Sequence, residues 1–291
     1  MSAPRSILFL GTSAFAVPAL KHLAADDRFR VIAVITQPDR PAGRKQILTP
    51  PPVKEAARKL QLPVLQPENL NRDAEELKLE QPDFLVVVSY GQILSQKTLN
   101  LPRLAPVNVH ASLLPRWRGA SPIQHAILAD DQATGVTVQR MVRELDAGPI
   151  LGQALTTVEP RETFATLHDR LADAGARLLA ETLAAPLRDT PQNEADATFC
   201  TKLSREDGFV DPATMTAEDI DRTVRGLNPW PGVTVTIDGQ PLKLLETELS
   251  ASKQSFPLPC ANNSTLFLVT IQPAGKKPMT GTEWARGRQK P

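Results

Sequence analysis

The segment Val107-Asn108-Val109-His110-Ala111-Ser112-Leu113-Leu114-Pro115 carries the residue types and spacing that point most directly to chemistry. In an extended strand, residues two apart face the same side, so Asn108 and His110 project together. A neutral amide beside an imidazole suits acyl transfer: the amide can stabilise a developing oxyanion, and the imidazole can hold a proton or a positive charge. The same pair also fits a plain framework role, with His110 hydrogen-bonded in place and Asn108 forming a turn. Asp146, in Leu145-Asp146-Ala147-Gly148, adds a carboxylate that can orient His110 and take a proton from an attacking amine. An Asp in a glycine-containing turn is equally what any tight turn prefers. Together the three make an amide, imidazole and carboxylate set with no nucleophilic Ser or Cys in evidence, which suits direct transfer between two bound substrates.

Such a set needs elements to hold it. Ile7–Leu10, Val31–Ile35, Pro63–Gln66, Phe84–Ser89 and Val107–His110 read as short buried strands, and Val17–Leu23 and Lys54–Leu60 carry helical spacing between them. That rhythm predicts an α/β fold with a doubly wound, mostly parallel sheet, whose ligands lie beyond the carboxyl ends of the strands. A helix over 122–129, strands over 135–141 and 150–158, and a long helix over 163–185 follow. The stretch Pro186–Thr198 is polar, holds two prolines and lacks periodicity, so it reads as a linker. Beyond it, a Thr-capped helix over 216–227 precedes strands over 232–237, 242–248 and 266–272, with a hairpin turn at Asp238-Gly239. The expected organisation is a catalytic domain over 1–185, a linker over 186–201 and a smaller β-rich, OB-like domain over 202–291.

Composition narrows the function classes. The chain has 291 residues, 41% hydrophobic and 22% charged, with a formal net charge of +1, which excludes a disordered chain or a bulk polycation. Two cysteines, Cys200 and Cys260, are too few for a disulfide framework and lack zinc-site spacing, so a reducing cytoplasm is the expected compartment. Neither a signal peptide nor a membrane span is expected. The turn Gly11-Thr12-Ser13-Ala14-Phe15 has one glycine where a dinucleotide fingerprint needs three, no P-loop motif occurs, and four dispersed histidines offer no metal-ligand spacing. Neither a nicotinamide nor a metal is therefore expected. Two basic segments remain: Gln37–Lys54, with Arg40, Arg44, Lys45 and Lys54 against Asp39, and the tail from Lys276, with Lys277, Arg286, Arg288 and Lys290 against Glu283. Both can be solvated surface, or can contact phosphates.

Phe15-Ala16-Val17-Pro18, Thr36-Gln37-Pro38-Asp39-Arg40-Pro41-Ala42-Gly43-Arg44, Tyr90-Gly91-Gln92-Ile93-Leu94, the Asn108–Pro115 segment, Pro115-Arg116-Trp117-Arg118-Gly119-Ala120, Leu145–Gly148, Asn228-Pro229-Trp230-Pro231-Gly232 and Gln272-Pro273-Ala274-Gly275-Lys276-Lys277 occur in this order along nearly the whole chain. In these segments the sequence resembles the methionyl-tRNA formyltransferase family. The Asn, His and Asp set and the Ser-Leu-Leu-Pro turn are shared with the wider formyltransferases. The basic loop, the Pro-Arg-Trp-Arg-Gly-Ala segment and the Lys-Lys tail favour tRNA.

The resemblance implies a Rossmann-like catalytic domain and transfer of the formyl group of 10-formyltetrahydrofolate, a co-substrate, to the amino group of initiator methionyl-tRNA. It implies catalytic roles for Asn108, His110 and Asp146. Folate would lie against Tyr90, Gly91, Gln92, Ile93, Leu94, Ser112, Leu113, Leu114 and Pro115. Arg40, Arg44, Lys45, Lys202, Lys276 and Lys277 would contact tRNA, and the protein would act as a cytoplasmic monomer. The alternatives are a sugar-nucleotide N-formyltransferase and a non-catalytic folate- or RNA-binding relative. The sequence departs from the family pattern at Ser13, at Ala105-Pro106, at Lys45-Gln46-Ile47, and between Leu249 and Leu266, where about a dozen residues and their strands are lacking. An incomplete barrel is the expectation there.

Overall fold

The computed structural model describes residues 3–43, 46–73 and 80–288. Its first elements are strand β1 (Arg5–Gly11), helix α1 (Val17–Ala24), β2 (Phe29–Ile35), β3 (Arg40–Ala42), β4 (Ile47–Thr49), α2 (Pro52–Lys59), β5 (Val64–Leu65), α3 (Leu70–Asp73), β6 (Phe84–Val88), α4 (Gln96–Leu99) and β7 (Ala105–His110). They are followed by β8 (Arg118–Gly119), α5 (Pro122–Leu128), β9 (Ala133–Arg140), β10 (Ile150–Thr157) and α6 (Phe164–Ala184). One seven-stranded sheet runs in the order β10-β9-β7-β6-β1-β2-β5. The pairs β1–β2, β1–β6, β6–β7 and β2–β5 are parallel, and β7–β9 is antiparallel. The order reverses beside β1, as the doubly wound expectation requires, so chain leaving β1, β6 and β7 converges at one edge of the sheet.

Central strands buried on both faces must be apolar throughout. In β1 and β6, Ile7, Leu8, Phe9, Leu10, Phe84, Leu85, Val86 and Val88 are almost fully buried. Leu8, Leu10, Ile35, Leu85 and Val87 form one core face with Leu70, Tyr90, Leu94 and Leu99. Each such side chain contributes about 1.5–3 kcal/mol through burial, which makes this sheet the rigid support for what projects from its ends.

The rest of the chain holds β11 (Phe199–Cys200), β12 (Phe209–Val210), α7 (Ala217–Leu227), β13 (Val233–Ile237), β14 (Gln240–Glu248), β15 (Phe256–Pro259), β16 (Thr265–Pro273), β17 (Met279–Thr280) and α8 (Gly281–Arg288). A second sheet runs β12-β13-β14-β16-β15, with β17 also on β16. Ile220, Val224 and Leu227 of α7 pack with Val233, Val235, Leu242, Leu244, Leu266, Leu268 and Ile271. Thr216 caps α7, its hydroxyl accepting from the Asp219 N–H at 3.2 Å. The Asp238-Gly239 hairpin has both residues at positive φ, 50° and 74°, as a tight primed turn demands. The shortened region between Leu249 and Leu266 is not without a strand: β15 forms there and pairs antiparallel with β16.

Two further departures from the expected organisation concern connectivity. One compact unit comprises 1–119, 134–156 and 168–199, and the other 120–133, 157–167 and 200–291. Helix α5 falls in the second unit because it packs on α7, where a Cβ on Gly226 would stand 3.3 Å from Ile127. The stretch expected as a linker is bonded into the first unit: Ile150 and Thr190 exchange backbone hydrogen bonds of 2.8 and 2.9 Å. No helix of the described residues is long and apolar enough to cross a membrane.

Candidate active site

Asn108 and His110 lie on β7 with their backbones opposite Gln139 and Thr137 of β9. His110 is the last residue of the strand and is buried. Its Nε2 lies 2.8 Å from the Trp117 carbonyl oxygen. A carbonyl only accepts, so this geometry assigns the hydrogen to Nε2 and leaves Nδ1 to face a substrate or a carboxylate. Asn108 is half-buried, and among the described residues its side-chain amide has no protein hydrogen-bond partner. Its donors are thus available to an acceptor arriving from solution.

Asp146 brings its Oδ2 to 3.6 Å from His110 Nδ1. That is beyond a hydrogen bond but close enough for strong attraction once the ring is protonated. The carboxylate is gripped on both oxygens: Gly119 N–H donates to Oδ2 at 2.9 Å, and Gln139 Nε2 donates to Oδ1 at 2.9 Å. Asp146 sits at φ 51°, in the left-handed region that Asp tolerates better than most residues. Two residues later the backbone passes so near β9 that a Cβ on Gly148 would fall 1.7 Å from the Arg140 carbonyl, so only glycine fits. The imidazole and carboxylate expected from the sequence thus lie close together within the first unit, and Asn108 stands two residues before His110 on the same strand. Spacing alone does not reveal Gln139, the Trp117 carbonyl or the Gly119 N–H. The available signal for Gln139 was a long amide side chain directly after Val136-Thr137-Val138 in a strand expected to be buried, where a polar group needs a partner.

A family model described as formyl transferase matches residues 5–183, and one described as formyl transferase, C-terminal domain, matches 202–289. The methionyl-tRNA formyltransferase of Bacillus subtilis (strain 168) is 40% identical over 300 residues, covering 97% of this chain and 94% of its own length. That of Halorhodospira halophila is 43% identical over 300 residues, with 97% and 96% covered. The chain belongs to the formyltransferase family. Among solved structures, the N-formyltransferase from Helicobacter canadensis in complex with folinic acid and dTDP-3-aminofucose aligns with TM-score 0.67 at 15% identity, covering 91% of this chain and 98% of that one. HypX from Aquifex aeolicus in complex with tetrahydrofolic acid aligns with TM-score 0.64 at 16% identity, over 97% of this chain and 47% of that one. At those identities the likeness is one of fold.

In this formyltransferase the residues expected at folate divide into two groups. Tyr90, Leu94 and Leu114 are buried, Leu113 and Pro115 are half-buried, and Gly91 and Ile93 are exposed. The Tyr90 hydroxyl is buried without a partner among the described residues, and burial first, then the charge of Asp73, pushes its pKa up to about 12. By contrast, Gln92 and Ser112 spend their polar groups on the framework. Gln92 Oε1 accepts from Leu70 N at 3.1 Å and its Nε2 donates to the Glu68 carbonyl at 3.1 Å, while Ser112 Oγ donates to the Arg116 carbonyl at 2.5 Å. Thr137 pins the Ser-Leu-Leu-Pro turn, donating to the Ser112 carbonyl at 2.7 Å and accepting from Leu114 N at 3.1 Å.

Of the cationic residues expected at tRNA, Arg44 and Lys45 lie outside the described residues. Arg40 stands on β3, exposed, in a hairpin formed by β3 and β4. Lys54 is withdrawn from that basic patch: it is buried, and its Nζ binds both Asp39 oxygens at 2.6 and 2.7 Å. Lys202, Lys276 and Lys277 are exposed.

Proposed function

We propose that the protein transfers a formyl group from 10-formyltetrahydrofolate to the amino group of initiator methionyl-tRNA. The observation that carries this reading is the doubly held Asp146 carboxylate 3.6 Å from His110 Nδ1, with the half-buried amide of Asn108, unpartnered among the described residues, two positions earlier on the same strand. Two neutral or cationic donors and one fixed acceptor suit a carbonyl under attack by an amine, and methionyl-tRNA is the substrate in the names of the Bacillus subtilis and Halorhodospira halophila relatives. Folate, when bound, supplies the formyl carbon. Tyr90, Leu94, Leu113, Leu114 and Pro115 are assigned to the folate, because apolar side chains of this kind are what a pterin ring packs against.

An ordinary α-amine, with a pKa of about 7.7–8, is substantially neutral near pH 7.5 and can attack. The Asn108 amide and a proton on His110 Nδ1 stabilise the negative charge that develops on the formyl oxygen. The new C–N bond forms as the formyl carbon leaves the folate nitrogen. The amine gives one proton to Asp146, directly or through water, and the departing nitrogen takes one up from Nδ1, so the protons balance. His110 Nε2 stays on Trp117 throughout.

Arg40, Arg44, Lys45, Lys202, Lys276 and Lys277 are assigned to the tRNA phosphates, and the active form to a monomer in the cytoplasm. The test is to incubate the protein with 10-formyltetrahydrofolate and either methionylated initiator tRNA or a nucleotide-linked amino sugar. Formylation of the tRNA alone is expected. Formylation of the sugar alone, or folate binding without turnover, would overturn the assignment.

A further inference from the structure

Gln192 lies in the polar stretch whose composition suggests a passive connector, yet every hydrogen-bonding site on its side chain is used. Nε2 donates to the carbonyls of Asp146 at 2.8 Å and Gly148 at 2.7 Å. Oε1 accepts from Arg118 Nε at 3.0 Å and from Arg118 Nη2 at 2.8 Å. A side-chain amide has two donors and two acceptor lone pairs, so this one is saturated. We infer that Gln192 is a positioning residue for formyl transfer, clamping the Asp146 loop to the strand that faces His110.

The reason lies in what the two ends of the clamp carry. At one end the loop places Asp146, in a left-handed conformation, toward His110, and it cannot relax toward β9 because Gly148 already touches Arg140. At the other end Arg118 is almost fully buried and also binds Glu194 through two contacts of 2.7 and 2.9 Å. The residue before Arg118 supplies the carbonyl that holds His110 Nε2, and the residue after it supplies the N–H that holds Asp146 Oδ2. A single amide therefore ties together both groups that set the 3.6 Å separation of His110 Nδ1 and Asp146 Oδ2. The same strap secures Trp117, a bulky residue at φ 60°, where it rarely resides: Trp117 N–H donates to Thr198 Oγ1 at 2.9 Å, and Arg118 N–H to the Thr198 carbonyl at 2.8 Å. Sub-ångström misplacement of a reacting group is enough to slow a reaction whose catalysis rests on preorganisation.

This inference rests on the roles proposed for His110 and Asp146, and its test keeps the two apart. Gln192→Glu retains the acceptor toward Arg118 but replaces the donor toward the two carbonyls with a carboxylate oxygen, and Gln192→Leu removes both. In each variant kcat is expected to fall roughly 10- to 100-fold, with KM for tRNA and for the folate within about threefold of wild type and with a displaced pH profile of kcat. The His110 ring resonances, identified by the signals lost in His110→Ala, are compared by NMR at one pH in wild type and Gln192→Glu without substrate, and are expected to shift as the ring's surroundings change. A Gln192→Glu protein with wild-type kcat and unmoved His110 resonances would overturn the inference, as would a defect confined to KM or to melting temperature. An inactive wild type would defeat the proposed reaction, while the NMR comparison would still decide the role of Gln192.

Discussion

With His110 Nε2 committed to the Trp117 carbonyl, any proton the ring exchanges during turnover passes through Nδ1. In the proposed reaction, Asn108→Ala and His110→Ala remove donors from the same developing charge, each worth about 2.7–4 kcal/mol in comparable sites. Single-turnover formylation by either variant is expected to slow at least about a hundredfold, with an unchanged circular dichroism spectrum. Gln139 makes a sharper case. Its Nε2 holds Asp146, but its Oε1 is buried with no partner among the described residues, a liability of about 1–3 kcal/mol. Gln139→Met should therefore lower kcat while leaving urea stability unchanged or improved; equal losses of both would show that Gln139 serves the fold. The placement of Asn108 and His110 on one strand and of Asp146 in a turn was legible because strand alternation and a Gly-containing turn are local patterns. Gln139 and Gln192 were not, because each acts on a residue that only the folded sheet brings near, and Gln192 sits where composition is least informative.

Long regular elements were read more completely than short ones, and two of the missed strands, β3 and β15, contain proline. The β3–β4 hairpin lies in a Pro-rich loop, and β15 is Phe256-Pro257-Leu258-Pro259, in which every second residue is a proline that cannot donate to a ladder. β15 is nevertheless a strand because it forms the edge of its sheet, where one side needs no N–H. The stem of the hairpin follows Asp39, whose carboxyl the Lys54 ammonium, then Gln66, hold below the usual carboxylate range. A depressed carboxylate contributes stability above its unfolded pKa of about 3.9 and loses it as pH falls through the lower folded value. Limited proteolysis around residues 40–49 should therefore accelerate below about pH 4 in wild type. In Asp39→Asn it should already be fast at pH 7 and change little on acidification. In the second unit, Asp221 is almost fully buried and meets Arg161 at 2.7 Å, Arg225 at 2.9 Å and Thr247 at 2.8 Å. Removing one member of a buried charge set costs about 3–5 kcal/mol, so Asp221→Ala should lower the urea midpoint strongly, and Asp221→Asn nearly as much.

At the scale of the whole molecule, a net charge of +1 means that any affinity for a polyanion depends on local clusters. Lys276 and Lys277 sit in a turn that the Gln272 side chain braces, its Nε2 donating to the Lys276 carbonyl at 2.8 Å. If they contact phosphates, KM for tRNA rises with salt, and the double Lys276→Ala, Lys277→Ala variant reduces the log–log slope by about 1–2. An unchanged slope would remove both residues from the assignment. The bipartite architecture was visible in the sequence, but its interleaving was not, because α5 joins α7 through packing between residues a hundred positions apart. That interleaving has a practical and an evolutionary consequence. The polypeptide alternates between its two bodies, three segments to each, so neither corresponds to one uninterrupted stretch of gene. A graft of 202–289 onto another scaffold would arrive with the Gly226 side of α7 bare and Asp221 deprived of Arg161, and recombination at a single crossover cannot shuffle either body intact.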